Sequence, residues 1–154
     1  MPDVRIIVID SRAALMPAAL ALRHEVFVIE QGVAPELERD NFDDRAIHLV
    51  ALRDDEVVGT LRIVTSERVA RIGRMAVRQS ARGGGVGSRL MSAAETVAAQ
   101  LGVTTIVLHA QLTAEAFYRR LGYQEEGENF DEAGIPHVSM WKSVAALPPN
   151  PAGD

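Results

Sequence analysis

Met75-Ala76-Val77-Arg78-Gln79-Ser80-Ala81-Arg82-Gly83-Gly84-Gly85-Val86-Gly87-Ser88-Arg89-Leu90 is the stretch on which the fold turns. It reads as a strand, a glycine-rich turn and the start of a helix. The first backbone N–H groups of a helix have no internal acceptor, and the helix dipole adds positive charge there. Such a turn binds anions, a pyrophosphate among them. Three readings compete. The first is a flexible loop ahead of a helix. The second is a dinucleotide fold, whose G-x-G-x-x-G must open an early βαβ unit. That fingerprint fails, because Gly83-x-Gly85 is followed by Ser88 and Gly85-x-Gly87 by Leu90. The third is Arg-x-x-Gly-x-Gly, met by Arg82, Gly85 and Gly87 between a strand and a helix.

Upstream, the β-branched run Val4 to Ile9 predicts a first strand, with Asp10 or Ser11 offering an N-cap. Apolar residues recur at helical spacing from Leu15 to Val28, with Pro17 in or near the first turn. Glu30 to Arg45 is acidic, contains Gly32 and Pro35, and reads as a loop. Ile47 to Leu52, Val57 to Thr65 and Arg68 to Val77 predict three strands, the first two joined by a turn at Asp54-Asp55. Downstream, a helix is expected over Val86 to Leu101, capped by Gly102. Val103 to His109 has the continuous apolar character of a buried central strand. Leu112 to Leu121 predicts a helix stopped by Gly122. Tyr123 to Glu126 and His137 to Val144 predict the last strands, joined by a loop with Gly127, Gly134 and Pro136. The result is one α/β domain over residues 1–146, a mixed sheet with helices on both faces, and a disordered tail over 147–154.

The chain has 154 residues, 47% hydrophobic and 24% charged, which suits one ordinary globular domain. It has no cysteine, which removes disulfides, thiolate zinc sites and a cysteine nucleophile. Sixteen basic residues against twenty-one acidic give −5, a poor balance for general nucleic-acid or anionic-membrane binding. No apolar run is long enough for a transmembrane helix, and the N-terminus lacks the pattern of a secretory signal. A soluble, cytoplasmic protein is the expectation. Lys142 is the only lysine, so there is no Walker-type phosphate loop. The four histidines show no metal spacing, and no metal is expected.

Arg82, Gly85 and Gly87 together resemble the coenzyme A pyrophosphate loop of the GNAT superfamily of N-acetyltransferases. The resemblance extends along the chain. Arg71-Ile72-Gly73-Arg74-Met75-Ala76-Val77 resembles the GNAT strand that splays from its neighbour and bonds the pantetheine arm through its backbone. Gln111-Leu112-Thr113-Ala114-Glu115-Ala116-Phe117-Tyr118-Arg119-Arg120-Leu121-Gly122-Tyr123 resembles the family's N-x-x-A-x-x-F-Y-x-x-L-G-F helix, with Gln111 where Asn is usual. Leu22 to Gln31, Glu38-Arg39-Asp40 and the ending Gly127 to Met140 are similar to a small bacterial single-domain branch. That branch holds ElaA-like proteins and relatives of glyphosate N-acetyltransferase. The likeness covers residues 4 to 143. It implies a sheet of about seven strands with a splayed central pair. It also implies acetyl-CoA as cosubstrate, held by Met75, Ala76, Val77, Arg82, Gly83, Gly84, Gly85, Val86, Gly87, Ser88 and Gln111.

Direct transfer of an acetyl group to an amine needs a deprotonated amine close to the thioester carbon and a donor for the oxyanion. The leaving thiolate may also take a proton. The resemblance implies Tyr118 as the acid near the thioester sulfur; otherwise it is a core tyrosine. An imidazole titrates near neutral pH, and the "Pro-His" of the glyphosate-type relatives matches Pro136-His137, which implies His137 as the base. His109 ends the apolar strand, where open α/β sheets place their ligands, and it lines a substrate cleft or the core. His24 and His48 read as structural. Phe27, Glu30, Gln31 and Asp40 fall in the region that lines the acceptor cleft in GNAT folds, where acids suit a cationic amine; a solvated acidic loop fits equally. Arg74 either binds a carboxylate or solubilises an exposed strand. The glyphosate-type relatives carry arginines at positions matching Val28, Gly73 and Gln111, so glyphosate-like phosphonates are poor acceptors here. The acceptor stays open between a small-molecule and a peptide amine, and the resemblance admits a homodimer. A non-catalytic acyl-CoA-binding module and a transferase of another acyl group remain as alternatives.

Overall fold

The computed structural model describes residues 3–145. The expected tail at 147–154 lies outside the described residues. β1 (Arg5–Ile9) leads into α1 (Met16–Arg23). α1 runs on without a break into a π-helical segment, His24–Glu30. Pro17 sits in the first turn of α1, where its missing N–H leaves no bond unmade. The expected cap is displaced: the helix begins after Leu15 with no side-chain cap, and Asp10 instead accepts from the Arg12 N–H in the preceding turn.

The acidic stretch read as a loop contains the single turn α2 (Pro35–Glu38) and a 3-10 turn, Asn41–Asp44. β2 (Ile47–Arg53), β3 (Glu56–Ser66) and β4 (Val69–Val77) follow as an antiparallel meander. Then come α3 (Val86–Gln100), β5 (Thr105–Gln111), α4 (Glu115–Arg120), β6 (Gln124–Glu132) and β7 (Ile135–Ser143).

The seven strands form one mixed sheet in the order β1-β2-β3-β4-β5-β7-β6. Helices cover both faces. α3 lies on one face, and Leu49, Ala51, Leu61, Ile63, Ile106 and Leu108 point into the core beneath it. α1 lies on the other, over Val50, Leu52, Val57 and Ala76. β2 is buried from both sides, which is why Leu49-Val50-Ala51-Leu52 is apolar without alternation. Gly59 is required here by packing. A Cβ on it would lie 2.9 Å from both the Leu90 and the Val86 side chains, so α3 could not seat on β3.

Gly127 to Glu132 is not a loop but the second half of β6, with Phe130 paired to His137 and Glu132 to Ile135. The ladder skips between Glu126 and Phe130 and then resumes, and the hairpin closes at Ala133-Gly134. β6 is an edge strand exposed along most of its length, so it lacks the apolar alternation by which a half-buried strand is recognised.

Candidate active site

β4 and β5 are parallel, and they pair only over Val69–Arg71 with Thr105–Val107. Beyond Arg71 the two strands separate, and the β5-facing edge of Gly73–Val77 has no strand partner among the described residues. A bulge enforces the change. Thr60 faces Ala76 and Arg62 faces Gly73, so Leu61 alone opposes both Arg74 and Met75. Arg74 sits at φ +53°, a left-handed conformation a non-glycine residue adopts only when its surroundings hold it there.

The splayed end of β4 runs into the glycine turn. Gly85 is the N-cap of α3, at φ +84°, and no other atom lies within 4 Å of where its Cβ would stand. The first bond of the helix is Arg89 N–H to Gly85 O, at 3.0 Å, so the N–H groups of Val86, Gly87 and Ser88 have no helical acceptor. A cleft of about 340 Å³ opens against this turn, lined by Ser80, Gly83 and Gly84, by Arg53, Arg82 and Arg89, and by one acid, Asp3. The chain is acidic overall, yet this cleft is basic. Arg53 and Arg89 were not singled out in the sequence, because only the fold brings them to Arg82. Gly87 packs tightly as well, its Cβ position lying 3.3 Å from the Phe117 ring. Met75 and Val77 face the α3 side of the sheet, and Ala76 faces α1.

On the α1 side, Phe27 is partly buried against the second core cluster. Glu30 ends the π-helical segment and accepts two hydrogen bonds from Arg82, at 2.6 and 2.7 Å. Those bonds hold the Glu30 carboxyl below its ordinary range. Gln31 accepts from the Gln111 side chain at 2.9 Å, joining this segment to the end of β5. Arg74 is engaged inside the chain: it donates to Glu38 O at 2.9 Å, Leu37 O at 3.2 Å and Asp40 Oδ2 at 3.2 Å.

Those contacts belong to a partly buried ionic network. Arg23, 1% exposed, donates to Glu38 Oε2 at 2.6 Å and to Asp43 Oδ1 at 2.7 Å. Arg62 grips Asp40 at 2.6 and 2.8 Å and reaches Asp43 at 3.0 Å. Burial alone would raise the Asp43 carboxyl, but Arg23 and Arg62 outweigh it and hold the group down at about 2. Asp40 is thus a structural ligand for two arginines. His48 is fully buried, with Nε2 3.0 Å from Asp43 O.

The other wall is built on β5, β6 and β7. Gln111 is paired with His137, and His109 with Ser139. His109 and Gln111 alternate with the core residues Leu108 and Ala110, so they face away from α3, and the register puts His137 on that face too. His109 Nδ1 lies 2.8 Å from Glu132 Oε1. His137 Nδ1 lies 2.6 Å from Ile135 O, and its Nε2 is 3.7 Å from Glu132 Oε2. Phe130 stands edge-on to His109 and stacks along His137. Glu132 and Phe130 went unrecognised in the sequence because they were assigned to a loop.

Tyr118, on α4, is buried against Phe117 and Tyr123. No described residue hydrogen-bonds its hydroxyl. No fully buried side-chain polar atom among the described residues lacks a partner, so this hydroxyl reaches accessible space. Burial pushes the phenol up to about 12. His24 lies within the π-helical segment. Among the described residues no group of three His, Asp or Glu side chains is placed to hold a metal ion, and no helix is long and apolar enough to cross a membrane.

Residues 12–144 match the family described as the Acetyltransferase (GNAT) domain. The chain is 38% identical over 125 residues to an uncharacterized N-acetyltransferase, YjcF, of Bacillus subtilis, covering 80% of this chain and 89% of that one. An acyl-CoA N-acyltransferase from Pseudomonas aeruginosa is similar in structure, with TM-score 0.81 and 34% identity over 91% of this chain and 99% of that one. Escherichia coli ElaA has TM-score 0.81 and 29% identity over the same shares, 91% and 99%.

Proposed function

This chain belongs to the GNAT acetyltransferase family and is an acyltransferase, and from that premise we propose that it moves an acetyl group from acetyl-CoA directly to an amine. In this reading His137 is the base and Tyr118 the donor at the departing sulfur. The observation that carries it is the split sheet: β4 leaves β5 after Arg71 and delivers its free edge to a glycine turn with three open N–H groups. The residues fit the cosubstrate. Val86, Gly87 and Ser88 offer backbone donors to a pyrophosphate, and Gly85 leaves the space over them clear. Arg53, Arg82 and Arg89 supply the charge that phosphates need.

The thioester supplies an electrophilic carbonyl carbon and a thiolate leaving group. The chain's residues do the rest. A carbonyl oxygen only accepts, so His137 Nδ1 carries the proton it donates to Ile135 O. In the neutral ring the lone pair is then on Nε2, where it takes a proton from the amine. Tyr118, pushed up to about 12 by burial, is protonated throughout the neutral range. A free thiol ionises near ~8.5, so the phenol is the weaker acid of the two. It therefore stabilises the departing sulfur by donating a hydrogen bond, and it gains nothing by surrendering its proton. Positioning across the gap supplies much of the remaining rate. The acceptor is a small-molecule or peptide amine.

Calorimetric titration with acetyl-CoA, beside 3′-dephospho-CoA and NAD, tests the cosubstrate. Thiol release with a panel of amines tests the transfer. Acetyl-CoA binding with no response to NAD, and thiol release matched by acetylated product, is the expected result. Absence of binding overturns the loop assignment; binding without transfer to any amine leaves a carrier module.

A further inference from the structure

We infer that Glu132 is the residue that receives the acceptor's ammonium group, and that the acceptor enters as a cationic primary amine held between Glu132 Oε2 and His137 Nε2. This rests on the transferase reading above and adds the charge state and the seat of its second substrate.

Three observations combine. The first is a mismatch. With Nδ1–H donated to Ile135 O, the neutral His137 ring turns its lone pair toward a carboxylate oxygen 3.7 Å away. In that state two acceptors face one another beyond hydrogen-bond distance, and a donor group between them satisfies both. One nitrogen can stand within about 2.9 Å of two atoms so spaced. A primary ammonium carries the N–H bonds to serve both and still has a third.

The second is burial. The His137 side chain is only 9% exposed, its Nε2 has no hydrogen-bond partner, and no fully buried polar atom of the described residues is orphaned. Nε2 therefore reaches accessible space. The third is that Glu132 is fixed from behind. Its other oxygen is bound at 2.8 Å by His109 Nδ1, which, like its counterpart on His137, must donate. Phe130 closes the side of the gap, edge-on to one ring and stacked along the other. The pair is therefore set before the amine arrives.

The step balances. One N–H proton of the ammonium passes to His137 Nε2, and the imidazolium so formed faces Glu132 in place of the ammonium. The freed lone pair forms the N–C bond to the acetyl carbon while the C–S bond breaks. The second N–H proton ends on the sulfur, giving the thiol. Charge beside Glu132 is unchanged by the first transfer, which keeps that step inexpensive in a partly buried site. The product amide is neutral, so it has lost its hold on Glu132 and leaves.

The experiment compares wild type, Glu132→Gln and Glu132→Asp in thiol release from acetyl-CoA. The acceptors are alkyl primary amines, cationic at neutral pH, and anilines, neutral there. A hydrogen bond to a charged group of this kind is worth roughly tenfold to a hundredfold. Glu132→Gln is expected to lose that much in kcat/KM for alkylamines and to change little for anilines, and Glu132→Asp to recover part of the loss. Equal losses for both classes would make Glu132 merely structural and overturn the inference. A second readout needs no turnover: the His137 Cε1–H resonance, in the coenzyme A complex, titrated with n-butylammonium or n-butanol. The cation alone is expected to move it in wild type, and not in Glu132→Gln. A shift that persists in Glu132→Gln, or none in wild type, overturns the inference. A shift with the cation but no acetylation of any amine overturns the transferase reading and leaves the ammonium site standing.

Discussion

Glu30 holds Arg82 by two parallel hydrogen bonds, at 2.6 and 2.7 Å, between residues 52 apart in the chain. The acid closes the helical segment on the acceptor side, and the base opens the glycine turn. In the proposed complex this carboxylate competes with a phosphate of acetyl-CoA for the same guanidinium. Glu30→Gln is expected to tighten acetyl-CoA binding, by calorimetry, by up to about fivefold, since an exposed pair is worth up to about 1 kcal/mol. Weaker binding would mean that Glu30 orients Arg82 for the phosphates.

Tyr118→Phe removes one hydroxyl from a buried ring and leaves its packing against Phe117 and Tyr123 in place. A fall in kcat of about 10²-fold is expected, with the dissociation constant of acetyl-CoA unchanged. Unchanged kcat in steady-state assays would remove Tyr118 from the chemistry.

His137→Ala is expected to lower kcat by about 10²-fold or more and to abolish the acid limb of the kcat/KM profile. Survival of that limb in the variant would place the base elsewhere.

Gly85→Val forces a β-branched residue to the φ of +84° found at the cap of α3. The strain costs about 1–2 kcal/mol, readable as a lower Tm. The side chain also stands in the open space over the free N–H groups. Acetyl-CoA affinity is expected to fall at least about tenfold, more than strain at a bare turn would produce. An unchanged constant would refute the loop as the phosphate cradle.

Asp43 carries the clearest pH signature. Its carboxyl is held at about 2 against an ordinary value of 3.8. A depressed native value means the stabilisation is present above the ordinary value and is lost as pH falls toward the native one. Urea unfolding is expected to show about 2 kcal/mol disappearing between about pH 4 and pH 2. Asp43→Asn should flatten that slope and be less stable at neutral pH, because Arg23 and Arg62 lose a charged partner.

Much of this architecture is legible in the residues. α3 was expected from Val86 to Leu101 and runs Val86–Gln100, because a long amphipathic pattern with Gly102 behind it has one solution. β2 to β5 were visible for the same reason: buried strands must be apolar. The parts that escaped are those without a hydrophobic signature. The shift from α1 to a π-helical turn at His24 alters bonding partners, and apolar spacing does not record that change. The second half of β6 is a mostly polar edge strand. The Arg23–Glu38 and Arg62–Asp40 pairs join residues 15 and 22 apart, and a charge in a sequence does not name its partner. Tyr118 and His137 were singled out by resemblance; Glu132 and the basic cleft of Arg53 and Arg89 emerge only in three dimensions.

Among the described residues, three residue pairs between β4 and β5 are the strand ladder that joins β1–β4 to β5–β7–β6, and the apolar core under α3 spans both halves. α3 packs mainly on β1–β4, with Ile106 and Leu108 of β5 in the same core, and α4 packs on β5. In the proposed complex, a cosubstrate arm lying along the free edge of Gly73–Val77 would be a strut as well as a reagent. It would add a second tie between two halves of the sheet that share one short ladder. On that reading the exchange of thioester for thiol would leave the strut in place, and the brace would be lost only when coenzyme A departs.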